Sequence, residues 1–158
     1  MKQKPWKCYA LWIAVPLAVG GLSALLTRSG MQTFRTDVIQ PSFTPPMWLF
    51  PVAWSILYVL MGFGAARVYR SPDSEPRTDG LWLYWTQLAV NFFWSIIFFN
   101  LQTYGFAFAW ILLLLGLIVW MALRFYRADP LSGLLQIPYI LWVSFASALT
   151  FAVWRLNR

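Results

Sequence analysis

Residues 106–123 read FAFAWILLLLGLIVWMAL and contain no charged side chain. An α-helix needs about 20 residues of this kind to cross the roughly 30 Å hydrocarbon layer of a membrane. Four further uncharged runs of similar length occur in the chain, and the charged residues fall in clusters between the runs. The five runs are residues 8–27, 48–66, 81–101, 106–123 and 131–154. The pattern predicts an integral membrane protein with five transmembrane segments.

The segments are predicted to be helices, because they lack the short alternating pattern of a transmembrane barrel strand and lipid offers no water to unpaired backbone groups. Only 11% of the 158 residues are charged, against about a quarter in soluble globular chains. The connection Asn100–Gly105 is too short for anything but a tight turn, so helices three and four should be antiparallel neighbours. We therefore expect an all-α membrane protein, one five-transmembrane-helix bundle over residues 1–158 without a soluble module.

The residue types exclude several kinds of chemistry. The chain has no histidine and a single cysteine, Cys8, which excludes an internal disulfide, a His/Cys metal cluster, a Ser-His-Asp triad and a histidine-ligated haem. We expect no metal site and no required cofactor. The five carboxylates are all predicted to lie in loops: Asp37, Asp73, Glu75, Asp79 and Asp129. Acid–base catalysis and proton-coupled transport are therefore disfavoured.

Basic residues are unevenly distributed between the two sides of the predicted bundle. Eight belong to the side that carries the N-terminus: Lys2, Lys4, Lys7, Arg67, Arg70, Arg77, Arg124 and Arg127. Four belong to the other side: Arg28, Arg35, Arg155 and Arg158. This bias predicts a cytoplasmic N-terminus and an opposite C-terminus if the protein lies in a bacterial inner membrane, and an outer-membrane location stays open. The net charge of +7 then reflects topology and contact with membrane lipid rather than nucleic-acid binding.

The first run admits two interpretations. Basic residues precede it and Ala18-Val19-Gly20 resembles a signal cleavage site, but its apolar stretch exceeds the usual 7 to 15 residues of a signal core. A retained helix is the preferred interpretation. The connection that follows, residues 28–47, is unusually long and ends in a proline-rich stretch with Pro41, Pro45 and Pro46. It is either a structured lid or a stiff linker, and composition supports the two equally.

Three tryptophans are predicted to lie inside the bilayer rather than at its surface. At 1.5 Å per residue, Trp54, Trp94 and Trp142 share a layer beneath the long connection. Helical spacing places Gln87 and Asn91 on one stripe that should face the bundle interior, because amides are costly in contact with lipid. Pro138 is also expected inside the fifth helix, where it would leave the Leu134 carbonyl without a donor. When each stripe is taken alone, aromatic packing and interhelical hydrogen bonding explain it better than a ligand site does. Together with the long connection they favour a flat, aromatic pocket suited to a planar hydrophobic ligand.

Four stretches carry a resemblance to a known family. They are Pro41–Tyr58, Gln87–Phe99, Ile137–Trp142 and Val153–Asn157. The chain resembles the TspO/MBR family, the tryptophan-rich sensory proteins and translocator proteins, along nearly its whole length. The resemblance implies a five-helix bundle, usually a homodimer, that binds porphyrins such as protoporphyrin IX, sterols and benzodiazepine-type ligands. For bacterial members it also implies a regulatory role in tetrapyrrole or stress responses, and light-dependent porphyrin breakdown in some.

The candidate ligand-binding residues combine the internal stripes with this resemblance. They are Phe43, Trp54, Tyr58, Asn91, Trp94, Ser95, Phe98, Tyr139, Trp142 and Ala146. Arg35 is a candidate partner for a ligand carboxylate, although a solvated loop charge explains it equally well. Trp54 and Trp142 would be the catalytic residues if the protein degrades porphyrin photo-oxidatively. The chain departs from the family where Phe43 and Phe34-Arg35 stand in place of a tryptophan and a Trp-Tyr pair, which removes hydrogen-bond donors from the lid.

Overall fold

The computed structural model describes residues 4–158, which form seven α-helices and no β-strand. The helices are α1 Pro5–Leu26, α2 Arg28–Asp37, α3 Leu49–Arg70, α4 Glu75–Ser95, α5 Tyr104–Ala128, α6 Pro130–Leu134 and α7 Ile137–Leu156. Five segments are long and apolar enough to cross a membrane: α1, α3, α4 with the turn that extends it, α5, and α6 together with α7. The predicted five-transmembrane-helix bundle is therefore confirmed. Lys2, one of the basic residues counted for the N-terminal side, lies outside the described residues.

The helices extend beyond the uncharged runs. α3 continues to Arg70, and α4 begins at Glu75, six residues before its uncharged run. The prediction that every carboxylate lies in a loop is therefore wrong, since Glu75 and Asp79 occupy the first turns of α4 and Asp37 ends α2. The first turns of α4 tolerate these carboxylates because they lie beside the basic side chain of Arg124. The Asp79 carboxylate is 3.1 Å from the Arg124 guanidinium of α5.

The predicted turn between the third and fourth helices is tight, and its two helices are antiparallel neighbours. α4 ends in a single π-helical turn, Ile96–Asn100. Gln102 then adopts a left-handed backbone conformation with φ of 52°, which reverses the chain within three residues. α5 starts at Tyr104 and packs along α4 in the most extensive helix–helix contact of the bundle.

The fifth transmembrane segment is broken into two helices. Asp129 caps α6, and its carboxylate accepts a hydrogen bond from the Ser132 backbone N–H at 3.1 Å. Gln136 follows α6, and its side chain donates to the Ser132 carbonyl oxygen at 3.2 Å. α7 then begins at Ile137, so Pro138 lies in a first turn, where its missing N–H is not needed. The expectation that Pro138 lies inside a continuous helix was wrong.

An ion pair at the junction of α5 and α6 holds the start of this segment against α3. The Arg67 guanidinium donates two hydrogen bonds to the Asp129 carboxylate, at 2.8 and 3.0 Å. The Ser132 hydroxyl also donates to Asp129. The guanidinium lowers the pKa of Asp129 from 3.8 to about 2, and the hydrogen bonds from Ser132 act in the same direction. All ion pairs among residues 4–158 lie at this end of the bundle, opposite α2.

Candidate ligand-binding cavity

A lid formed by α2 and residues 38–48 covers one end of the bundle. The predicted loop 28–47 is thus helical in its first half, which corrects the sequence-based expectation. α2 lies directly on the π-helical turn of α4, since a Cβ atom at Gly30 would be 2.5 Å from the Phe99 carbonyl oxygen. Phe34 is buried and its ring lies 5.4 Å from that of Phe98 and 5.7 Å from that of Phe99. A short polar helix is marginal by itself, so these contacts stabilise α2.

The second half of the lid is a non-helical strap, residues 38–48. The Gln40 side chain donates to the Phe34 carbonyl oxygen at 2.8 Å, which folds the strap back onto α2. The Thr44 backbone N–H and hydroxyl both donate to the Pro41 carbonyl oxygen, at 3.1 and 2.8 Å. Phe43 is half-exposed, and its ring contacts Phe145 at 6.2 Å on the outside of the bundle. The strap is therefore locally ordered by its own hydrogen bonds.

A cavity of about 250 Å³ lies beneath the lid. Its walls come from α1, α3, the end of α4 and α7, and aromatic rings from three of these helices face it. Trp94 and Phe98 are stacked with their centroids 5.2 Å apart, and Trp54 and Trp142 meet nearly at right angles at 6.4 Å. Flat aromatic surfaces on several sides of one space are suited to a planar apolar molecule.

The hydroxyl groups in the cavity wall are largely occupied by their own helices. Thr27 donates to the Ser23 carbonyl oxygen at 2.8 Å, and Thr150 donates to the Ala146 carbonyl oxygen at 2.7 Å. Such bonds leave the wall mainly apolar. Within residues 4–158, the buried indole N–H groups of Trp94 and Trp142 have no hydrogen-bond acceptor.

A hydrogen-bonded network lies directly below the cavity. The Asn91 amide donates to the hydroxyl oxygens of Tyr58 and Tyr139, each at 3.3 Å. The Tyr139 hydroxyl donates to the Gln87 side-chain oxygen at 2.7 Å, and the Gln87 side-chain amide donates to the Tyr84 backbone carbonyl oxygen at 3.1 Å. Gln87 and Asn91 are almost fully buried, as the interior stripe predicts. Because both N–H groups of the Asn91 amide are used here, they are not free for a ligand.

Seven of the ten candidate residues lie in the cavity wall. They are Trp54, Tyr58, Trp94, Ser95, Phe98, Trp142 and Ala146. Asn91 and Tyr139 lie in the network below the cavity, and Phe43 lies outside it. Arg35 is exposed and absent from the wall. Contacts of all these candidate residues with a ligand stay predictions, but only the seven wall residues line the same cavity.

The sequence patterns missed the contribution of α1 and of the lid helix. From these elements and the residue between them, the wall includes Leu17, Gly20, Gly21, Ser23, Ala24, Thr27, Met31 and Phe34. Stripes of aromatic and amide side chains cannot identify this wall, since α1 contributes mostly small residues. The cluster of glycine, serine and alanine at positions 20–24 was an available signal, because small side chains on one helix leave space beside it.

A second, open groove of about 550 Å³ lies on the outer face between α3 and α7. Its lining is almost entirely apolar and includes Pro45 of the strap, Leu49 and Ile56 of α3, and Leu141 of α7. Trp142 belongs to the linings of both the groove and the cavity. One indole therefore contributes to the cavity lining and to the outer face of the protein.

A family model described as TspO/MBR family matches residues 12–155. The chain belongs to the TspO/MBR family. Among its relatives in this family, protein CrtK of Rhodobacter capsulatus is 44% identical, over 94% of this chain and 92% of the relative. Tryptophan-rich protein TspO of Chlorobaculum tepidum is 38% identical, over 94% of each chain. The translocator protein of Sus scrofa is 31% identical, over 98% of this chain and 92% of the relative. Membership of the TspO/MBR family and the five apolar segments make this chain an integral membrane protein.

Proposed function

We propose that this TspO/MBR protein is a membrane receptor or carrier that binds porphyrins, such as protoporphyrin IX, in the cavity beneath the lid. The observation that carries the proposal is the set of indole and phenyl rings from α3, α4 and α7 that surround one covered space. Sterol-like and benzodiazepine-type molecules share the required flat apolar shape and are further candidate ligands. By analogy with relatives named sensory and translocator proteins, ligand binding would serve a regulatory role in tetrapyrrole or stress responses.

The size of the cavity adds a requirement. Ligand pockets typically measure about 300–1,000 Å³, whereas this cavity measures about 250 Å³. A macrocycle therefore enters only if the lid moves outward from the bundle. The macrocycle would stack on Trp54, Trp142 and Phe98, and its carboxylates would point toward the lid and the basic side chains of Arg28 and Arg35.

Fluorescence titration tests this binding mode. Micromolar protoporphyrin IX should quench tryptophan fluorescence of the purified protein saturably, and Trp54→Ala and Trp142→Ala should each weaken binding by about tenfold or more, since an aromatic contact contributes roughly 1 kcal/mol beyond its buried area. Trp120→Ala is the matched control, because Trp120 is exposed on α5 and does not line the cavity. Equal affinity in all four proteins would exclude the cavity as the binding site.

Light- and oxygen-dependent degradation of the bound porphyrin is the second candidate function. The contacts between Trp54 and Trp142, and between Trp54 and Tyr58 at 5.6 Å, favour it because they place oxidisable rings next to one another. In this reaction Trp54 and Trp142 would donate electrons to the excited ring, and dioxygen would be the oxidant. Illumination of the complex in air should yield a new absorbing product, and the dark and anaerobic samples should not. Conversion in the dark would rule out the photochemical reaction.

Orientation and assembly are part of the same proposal. In a bacterial inner membrane the excess of basic residues would favour a cytoplasmic N-terminus and a lid on the opposite side. A cysteine introduced at Ser42, in a Cys8→Ser background, tests this orientation. The measurement is the labelling of that cysteine by a membrane-impermeant reagent in intact spheroplasts. The family suggests a homodimer, and light scattering of the detergent-solubilised protein tests that assembly.

A further inference from the structure

Asn157, the residue that follows α7, connects the end of the chain to the lid. The Ile39 backbone N–H donates to its side-chain oxygen at 3.0 Å. Its side-chain amide donates to the Ile39 carbonyl oxygen at 2.8 Å. The two residues are 118 positions apart in the chain, so these hydrogen bonds are tertiary contacts rather than part of a local turn. They fix the strap to the end of α7.

These hydrogen bonds join a wall of the cavity to its cover. α7 contributes Trp142, Ala146, Leu149 and Thr150 to the lining, and the strap contributes Met47. The side chain of Asn157 is also held in place, since its amide donates to the Val153 carbonyl oxygen in the last turn of α7 at 2.8 Å. An oriented side chain loses little rotamer entropy when it binds the strap.

The two edges of the lid are attached by different forces. The α2 edge is fixed by the buried Phe34 side chain and by the close approach of Gly30 to the π-helical turn. The strap edge is fixed at Ile39, whose residue surface is 59% exposed, and water competes for exposed hydrogen bonds. The strap edge is therefore the weaker attachment and should release first, while α2 stays on α4.

We propose that Asn157 is the latch of the lid, a positioning residue that holds the strap closed over the cavity and limits the rate at which ligands enter and leave. The part of the proposal that concerns ligands rests on the proposed function. Three prolines stiffen the strap after Ile39, so its release moves the strap as a unit. The hinge is the contact of α2 with the end of α4.

Removal of the latch has a specific kinetic signature. Asn157→Ala deletes both hydrogen bonds and should raise the association and dissociation rates of protoporphyrin IX by about tenfold, given the modest net contribution of each exposed bond. Because both rates rise, the dissociation constant should change by less than about threefold. Asn157→Asp keeps the acceptor for the Ile39 N–H but loses the donor, and should give intermediate rates.

A second variant weakens the latch from the side of the strap. Ile39→Pro deletes the N–H that donates to the Asn157 side-chain oxygen, keeps the Ile39 carbonyl oxygen as an acceptor, and leaves α7 unchanged. The preceding residue, Val38, has φ of −99° and ψ of 132°, the extended conformation that a following proline favours. Ser144→Ala is the matched control, because Ser144 is exposed on α7 and its hydroxyl donates only within its own helix, to the Ile140 carbonyl oxygen.

Two measurements on the full-length protein in detergent test the latch. The first uses spin labels at Ser42 and Arg155, in a Cys8→Ser background, and measures the distance between strap and α7 without ligand. The distribution should broaden toward longer distances in Asn157→Ala and Ile39→Pro and match the parent in Ser144→Ala. Distributions that stay narrow in both latch variants would overturn the proposal.

The second measurement is stopped-flow quenching by protoporphyrin IX. Faster association and dissociation in both latch variants support the proposal, and unchanged rates despite a broadened distance distribution overturn the gating role. If neither the parent protein nor any variant binds protoporphyrin IX while the distance distributions of the latch variants still broaden, the proposed function fails. The role of Asn157 in holding the strap to α7 is then still supported. The two ideas are thus tested separately.

Discussion

Replacement of Asp129 by asparagine should destabilise the fold by about 1–2 kcal/mol at neutral pH. The magnitude follows from the pKa of the carboxyl, which the Arg67 guanidinium lowers from 3.8 to about 2, and each unit of such a difference corresponds to about 1.4 kcal/mol. The expected loss of stability is smaller than this conversion alone would give, because the Arg67 and Asp129 side chains are 31% and 21% exposed. This exposure allows solvent to screen the ion pair. The loss would loosen the junction of α5 and α6 from α3.

The pH dependence of stability is the more specific readout. A carboxyl whose pKa is lowered in the folded state contributes stability that is fully present above 3.8, its value in the unfolded chain. That contribution is lost as the pH falls from 3.8 through about 2. Thermal unfolding of the detergent-solubilised protein should therefore show a difference between wild type and Asp129→Asn that is constant from pH 7 to pH 5 and shrinks below pH 4.

Asp73→Asn is the control for this experiment. Its side chain is 95% exposed and pairs with Arg77, four residues further along the chain, so the substitution should change stability by less than about 0.5 kcal/mol. The reasoning is refuted if Asp129→Asn unfolds like the wild type at pH 7, or if the difference between the two proteins persists unchanged at pH 2.

Three further substitutions give distinct outcomes. Gly30→Ala places a methyl group against the Phe99 carbonyl oxygen and should lower the free energy of unfolding by about 1–3 kcal/mol; an unchanged melting temperature would contradict the close approach. Tyr139→Phe removes the donor to the buried Gln87 oxygen and should cost about 1–3 kcal/mol, which the same unfolding assay measures; no loss would mean that the network is not as described. Ala146→Phe fills the cavity and should abolish quenching by protoporphyrin IX while the melting temperature stays near that of wild type; undiminished quenching would place the ligand elsewhere.

The transmembrane helices could be predicted from the sequence because one physical requirement dominates them. An uncharged run of about 20 residues has few stable conformations in lipid other than a helix. The same argument identifies the interior face of α4, since Gln87 and Asn91 would be costly in lipid. Hydropathy therefore specifies the number of transmembrane segments, and the buried amides indicate which face of α4 points inward.

The lid could not be predicted in the same way. The sequence of α2 is short and polar, and its helix depends on contacts of Gly30 and Phe34 with the end of α4, residues that lie far away in the chain. The start of the separate helix α6 likewise depends on a capping carboxylate, Asp129, and its partner on α3. These features depend on tertiary contacts, which the hydrophobic periodicity of the sequence does not indicate.

The cavity itself was only partly predictable. Trp54, Trp94 and Trp142 could be placed in one layer because helical rise converts position into depth. Depth alone does not show which groups are already paired, and the Asn91 amide proves to be bonded to two tyrosine hydroxyls. The α1 wall carries no aromatic or amide stripe, and its small residues at positions 20–24 indicate space beside α1 without showing which helices face that space.

The central claim is that a planar ligand binds among the rings beneath the lid, and indole NMR tests it most directly. In protein labelled with ¹⁵N at tryptophan, titration with protoporphyrin IX should shift the indole signals of Trp54, Trp94 and Trp142 saturably, because a stacked macrocycle imposes large ring-current shifts. The signals of Trp82 and Trp120, which are exposed on the outer surface, should stay in place. Shifts confined to these exposed tryptophans, or no saturable shift at all, would contradict the account.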